Sequence, residues 1–125
     1  MSRCIRIKAG SVVMEARLND SPTAEAIAAA LPIEARVNTW GEEIYFPIPV
    51  HAQLESDASD LVREGDLAYW PTGAAFCIFF GPTPASRGNE VRAASAVNVV
   101  GTVNGDPKAF RKATDGELVI LEPCG

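Results

Sequence analysis

Over most of the chain apolar residues recur at every second position, the period of a strand with one buried face. Ile5 and Ile7 alternate with Arg6 and Lys8, and Met14, Ala16 and Leu18 alternate with Val13, Glu15 and Arg17. Ala9-Gly10-Ser11 separates the two runs, which predicts a hairpin. The period changes in SPTAEAIAAALP, where Ser21 can cap exposed amides, Pro22 suits a first helical position and Pro32 ends the segment. Ala24, Ile27, Ala28 and Leu31 share one face, so a short helix covering apolar surface is expected.

From Ile33 the period of two returns, with Ile33, Ala35 and Val37 on one side and Glu34, Arg36, Asn38 and Trp40 on the other. Gly41-Glu42-Glu43 turns the chain into IYFPIPV, where Ile44, Phe46, Ile48 and Val50 face one way and Tyr45 the other. Pro47 and Pro49 remove ladder donors and predict an edge over residues 46–50. Residues 51–65 read as a long surface loop, and its acids Glu55, Asp57, Asp60 and Glu64 as solvated, because their spacing does not match a calcium loop. GDLAYWP and AAFCIFFG are two short strands, and residues 82–96 a small polar, mobile loop. VNVVGTV is a further strand. Asp106 and Pro107 start at most two turns of helix, and ELVILE ends the pattern.

Eight short strands and two short helices, in the order ββαβββββαβ, predict a closed antiparallel barrel of one domain, residues 1–125, with the helices capping its ends. The connections are too short for parallel crossovers.

Composition narrows the function classes. Eleven basic against sixteen acidic side chains leave a net charge of −5, which offers no large basic surface for nucleic acid. No apolar run approaches the roughly 20 residues needed to cross a bilayer, and MSRCIRIKAG has no apolar leader core, so a cytoplasmic protein without a membrane partner is expected. Cys4, Cys77 and Cys124 are odd in number and lack Cys-x-x-Cys spacing, so reduced thiols are expected, Cys77 as a buried hydrophobe and Cys124 as incidental. His51 is the one histidine, too little for a transition-metal site, and no metal or cofactor is expected.

The motifs NTWGEEIYF, GDLAYWPTG and CIFFGPTP, with the order of elements around them, resemble the cyclophilins and, more closely, a family of small prokaryotic cyclophilin-like proteins of unassigned function. The resemblance implies an eight-stranded barrel with a groove on its outer wall, where cyclophilins hold an extended Xaa-Pro peptide. It implies Arg36 as the catalytic donor of a prolyl isomerase, with Asn38, Trp40 and Tyr45 nearby and Phe76 and Phe79 on the sixth strand. The chain departs from cyclophilins in lacking their Phe-His-Arg stretch, a glutamine after Tyr45, and any tryptophan or histidine in residues 82–96.

The aromatic residues Trp40, Tyr45, Tyr69, Trp70, Phe76, Phe79 and Phe80 fall in two windows. Alternation sets Trp40 and Tyr45 away from the core, either covered by residues 51–65 or lining a groove. Trp70 and Thr83 lie at strand ends, and Glu42 is the acid beside Trp40. The expected function is a binding module that holds a small organic ligand or peptide with Asn38, Trp40, Glu42, Tyr45, Trp70, Phe76, Phe79 and Thr83. The alternative is a peptidyl-prolyl isomerase of reduced or altered efficiency built on Arg36. A monomer, or a homodimer through the edge 46–50, is expected.

Overall fold

The computed structural model describes residues 3–124. It contains ten strands, the helix α1 (Pro22–Ala30) and two short 3-10 segments, Pro71–Gly73 and Pro107–Lys112. The strands are β1 (Arg3–Ala9), β2 (Val12–Leu18), β3 (Ile33–Arg36), β4 (Asn38–Thr39), β5 (Glu43–Pro47), β6 (Ser59–Val62), β7 (Asp66–Trp70), β8 (Ala75–Phe79), β9 (Val91–Val103) and β10 (Leu118–Pro123). All pair antiparallel, in the order β3-β10-β1-β2-β9-β7-β8-β5-β4, with β6 added against β9.

Two features differ from the expected closed barrel of eight strands. The run 33–40 is interrupted at Val37, whose amide and carbonyl bond to the Glu117 carbonyl and the Gly116 amide, and it splits into β3 and β4. The sheet therefore ends at two strands that are consecutive in the chain, joined through Val37 rather than by a ladder, and no hydrogen-bonded closure forms among the described residues. The second feature is β6, inside the stretch expected to be a surface loop. It pairs with the first half of β9, so residues 91–96 are strand rather than loop.

The helix forms as its punctuation predicts: the Ser21 hydroxyl accepts from the Ala24 amide at 3.2 Å, and Pro22 occupies the first turn. Ile27 is buried under it with Ile5, Ile7, Leu18, Phe46 and Phe110 in the interior of the curled sheet. Phe46 and Phe76 stack there with ring centroids 5.5 Å apart. Ile48 and Val50 are buried in the same core, so the proline-bearing run 46–50 turns its apolar side chains inward.

A second, smaller apolar layer lies on the outer face of β5, β8 and β7. Ala68, Cys77 and Phe79 point outward there and are covered by Val62 of β6 and by Val91, Ala93 and Val97 of β9. The long strand β9 thus has two roles. Its second half pairs with β7 and β2 in the main sheet, and its first half, with β6, folds over the outer face.

Two of the cysteines and Glu55 also differ from expectation. Cys4 and Cys124 form a disulfide, because the β1–β10 ladder brings their Cα atoms to 5.4 Å, whereas Cys77 is free and buried. Glu55 is not a solvated loop acid. Its carboxylate accepts from the Thr23 amide at 3.0 Å in the first turn of α1, where a negative charge is favoured.

Candidate functional site

On the outer face, side-chain alternation along three neighbouring strands sets up the site. Glu43 and Tyr45 of β5 point outward, Cys77 lies opposite Tyr45 on β8, and Ala68 lies opposite Cys77 on β7, with Trp70 two residues further along. Trp40 closes the turn into β5, its amide donating to the Glu43 carbonyl at 2.9 Å. That turn needs Gly41, whose φ of +61° is left-handed and whose missing Cβ would meet the Thr83 Cα at 2.9 Å.

These residues and the overlying β9 enclose a half-open cavity of about 180 Å³, lined by Trp40, Glu43, Tyr45, Trp70, Cys77, Ala93, Ala94 and Val97. Tyr45 and Trp70 meet edge to face, centroids 6.4 Å apart and planes at 79°, and so form two walls of a corner. The Trp70 indole N–H donates to the Ser95 hydroxyl at 2.7 Å, which fixes that wall to β9. The volume is below the roughly 300 to 1,000 Å³ of pockets for drug-sized ligands, so the space suits one group the size of a side chain.

Glu43 is the polar feature of the lining. It is 5% exposed, and burial lifts its carboxyl to about 7, opposed in part by a hydrogen bond with the Cys77 thiol. The thiol is itself pushed up, first by burial and then by the Glu43 charge, so it is an inert wall at neutral pH rather than a nucleophile. A carboxyl titrating near neutrality can gain or lose a proton when a guest arrives.

The structure brings Trp40, Tyr45 and Trp70 together at the cavity and places the other expected residues elsewhere. Arg36, on β3, donates from its guanidinium to the Gly116 carbonyl at 3.3 Å and does not line the cavity. Asn38 is exposed, its amide donating to the Tyr45 carbonyl at 3.4 Å. Glu42 faces Arg111, whose Nε donates to both carboxylate oxygens at 3.0 Å, and this guanidinium holds its carboxyl below the usual range. Phe76 points into the interior against Phe46. Phe79 is on the outer face but fully buried in the second apolar layer. The Thr83 hydroxyl is occupied by the Arg92 carbonyl and its amide by the Ser86 hydroxyl, so it braces residues 83–92.

Sequence reasoning missed Glu43, Cys77, Ala93, Ala94 and Val97 as lining residues, Cys77 being expected only as a buried hydrophobe. Glu43 carried a signal, since it lies two residues before Tyr45 and so shares its face. The small residues of β9 carried none until their pairing with β6 was known. Among the described residues, the one cluster with metal-ligating spacing is Cys4, Glu15 and Cys124, and its two sulfurs are bonded to each other.

Comparison with known proteins gives two findings. A family model described as cyclophilin-like matches residues 3–122. The solution structure of a hypothetical protein from Archaeoglobus fulgidus superimposes with a TM-score of 0.83 at 41% identity, covering 98% of this chain and 95% of that one. No curated protein matches the chain.

Proposed function

The chain belongs to the cyclophilin-like family, and we propose that within it this protein is a binding module that takes a small organic molecule, or one side chain of a peptide, in the cavity between β5, β7, β8 and β9. The single observation that carries this reading is the enclosure of Trp40, Tyr45 and Trp70 around one half-open cavity. Aromatic side chains this large are usually used to fill a core, yet these three keep part of their surface toward a space that a ligand can enter.

The isomerase alternative needs a cationic donor beside the bound amide to weaken its resonance. The lining offers a carboxyl there, and Arg36 is engaged with Gly116. Binding without turnover is the reading that fits this chemistry.

A thermal-shift screen of side-chain-sized compounds tests it, run on the parent, Trp40→Ala and Trp70→Ala. Compounds that stabilise the parent are expected to lose their effect in at least one variant; equal stabilisation of all three proteins would remove the cavity as the site. Exchange spectra of an Ala-Pro peptide run beside it, where cis and trans signals interconverting within seconds would instead establish catalysis.

A further inference from the structure

The cavity is chemically one-sided. Three aromatic rings and small apolar side chains surround one buried carboxyl, Glu43, and no lysine, arginine or histidine stands among the lining residues. Among the described residues no hydroxyl, amide or cation hydrogen bonds to that carboxyl; the Cys77 thiol beside it donates to the Ala75 carbonyl at 3.9 Å. A carboxylate taken out of water without a counter-charge is costly, and the cost is relieved by a guest that brings the cation. The faces of Trp and Tyr rings carry negative potential and attract the same kind of guest.

We propose that the cavity is a receptor for a small alkylammonium group, free or at the end of a peptide side chain, with Glu43 accepting its N–H bonds and Trp40, Tyr45 and Trp70 enclosing the adjoining methylenes. The inference rests on the reading of the cavity as a ligand site and adds the charge of the ligand. The corner formed by Tyr45 and Trp70 at 79° gives such a chain two walls at once, and 180 Å³ accommodates a short one. A net charge of −5 on the whole chain favours the approach of a cation.

The proton balance is fixed by the same groups. Below neutrality the Glu43 carboxyl holds its proton, so seating an ammonium converts carboxylic acid and ammonium into a carboxylate–ammonium pair and releases one proton to solvent. The titratable groups facing Glu43 are the Cys77 thiol of β8 and the Tyr45 phenol of its own strand. β7 and β9 present only Trp70, Ala93, Ala94 and Val97, and the turn before β5 presents Trp40. Among the described residues that line the cavity, no other charge competes for the guest.

The test is a titration of the full chain at about pH 6 with butylammonium, N-acetyl-lysine amide and neutral butanol, following the two tryptophan indole N–H signals, with Glu43→Gln in parallel. Either ammonium is expected to shift the signals and to bind on the order of tenfold or more tighter than butanol, and Glu43→Gln to abolish that preference. Binding by the lysine derivative alone assigns the source as a peptide side chain. Calorimetry in two buffers of different ionisation heat needs no variant and is expected to show a proton released on binding.

Equal binding of butanol and butylammonium with no effect of Glu43→Gln would overturn the charge assignment and leave the cavity as a ligand site. Ammonium probes that move neither indole signal overturn the inference alone when the wider thermal-shift screen yields ligands lost in Trp40→Ala or Trp70→Ala. If that screen yields none, both readings fall.

Discussion

Glu42 and Glu43 are neighbours in the chain whose carboxyls face opposite environments. Glu42 lies in the grip of Arg111 at 3.0 Å, and Glu43 is 5% exposed at the wall of an aromatic cavity. One residue of strand alternation separates them: an acid one position earlier meets the 3-10 segment at 107–112, and one position later it meets Cys77, Tyr45 and Trp70.

The pH dependence of stability follows from that placement. The folded protein keeps the Glu43 proton up to about pH 7, whereas its ordinary value, which the unfolded chain shows, is 4.5. The group therefore contributes fully below pH 4.5, its contribution falls as pH rises toward 7, and it stays lost above that. Glu43→Gln is expected to remove this fall and, above pH 7, to exceed the parent in stability by up to about 3 kcal/mol, the shift converted at roughly 1.4 kcal/mol per unit. Urea denaturation of both proteins on either side of this interval checks it; parallel pH profiles would contradict it.

Asn98 is the hub of a buried polar network. Its amide donates to the Thr23 hydroxyl at 3.0 Å and the Gln53 carbonyl at 2.9 Å, and its carbonyl accepts from the Glu55 amide at 2.8 Å. Asn98→Ala leaves these partners unsatisfied and is expected to cost about 2 to 3 kcal/mol. Hydrogen exchange at the Glu55 amide should quicken in the variant even under conditions where the rest of the sheet remains protected.

The pairing of β9 with β2, where Gly101 lies opposite Leu18, depends on that glycine. A Cβ there would sit on the Arg17 carbonyl oxygen and 3.0 Å from the Leu18 Cα, both backbone atoms that cannot step aside. Gly101→Ala is expected to lose about 1 to 3 kcal/mol or more. Thermal unfolding compared with Gly88→Ala, where nothing lies within 4 Å of the added carbon, separates steric clash from the general effect of the substitution; the φ of +61° at Gly88 adds only a backbone penalty.

Cys4 and Cys124 close a loop with a sequence separation of 120. Opening it, by reductant or by Cys4→Ser, is expected to cost about 2 to 5 kcal/mol, because the unfolded chain regains the freedom the crosslink removes. Intact mass after alkylation without reductant should show one modified cysteine at most once unfolded; three would contradict the bond.

Much of the architecture was legible because it is written in local patterns. The hairpin of β1 and β2, the Ser21-Pro22 start of α1 and the inward row Ile44, Phe46, Ile48, Val50 all follow from alternation and punctuation. Legibility ended where partners are distant. Nothing in RAASA announces a strand until it is set against Ser59–Val62, and Cys4 and Cys124 meet only through pairing of the first and last strands. The same limit applied at the site. Trp40 and Tyr45 could be placed on the outer face from their own strands and Trp70 at a strand end, but Phe76 faces the interior, and Glu42 and Thr83 are taken up by Arg111 and Arg92. Those contacts cross 69 residues in the first case and nine in the second, and no local pattern carries them.

The aromatic cavity, read as the ligand site, has a built-in reporter. The chain has two tryptophans, and both Trp40 and Trp70 line the cavity. A fragment titration following their indole N–H signals in a two-dimensional nitrogen-correlated spectrum reads the site without interference from any other indole. At least one bound fragment is expected to move both signals saturably, and the Ala93 and Ala94 signals with them. Fragments that bind the protein while leaving both indole signals in place would contradict that reading.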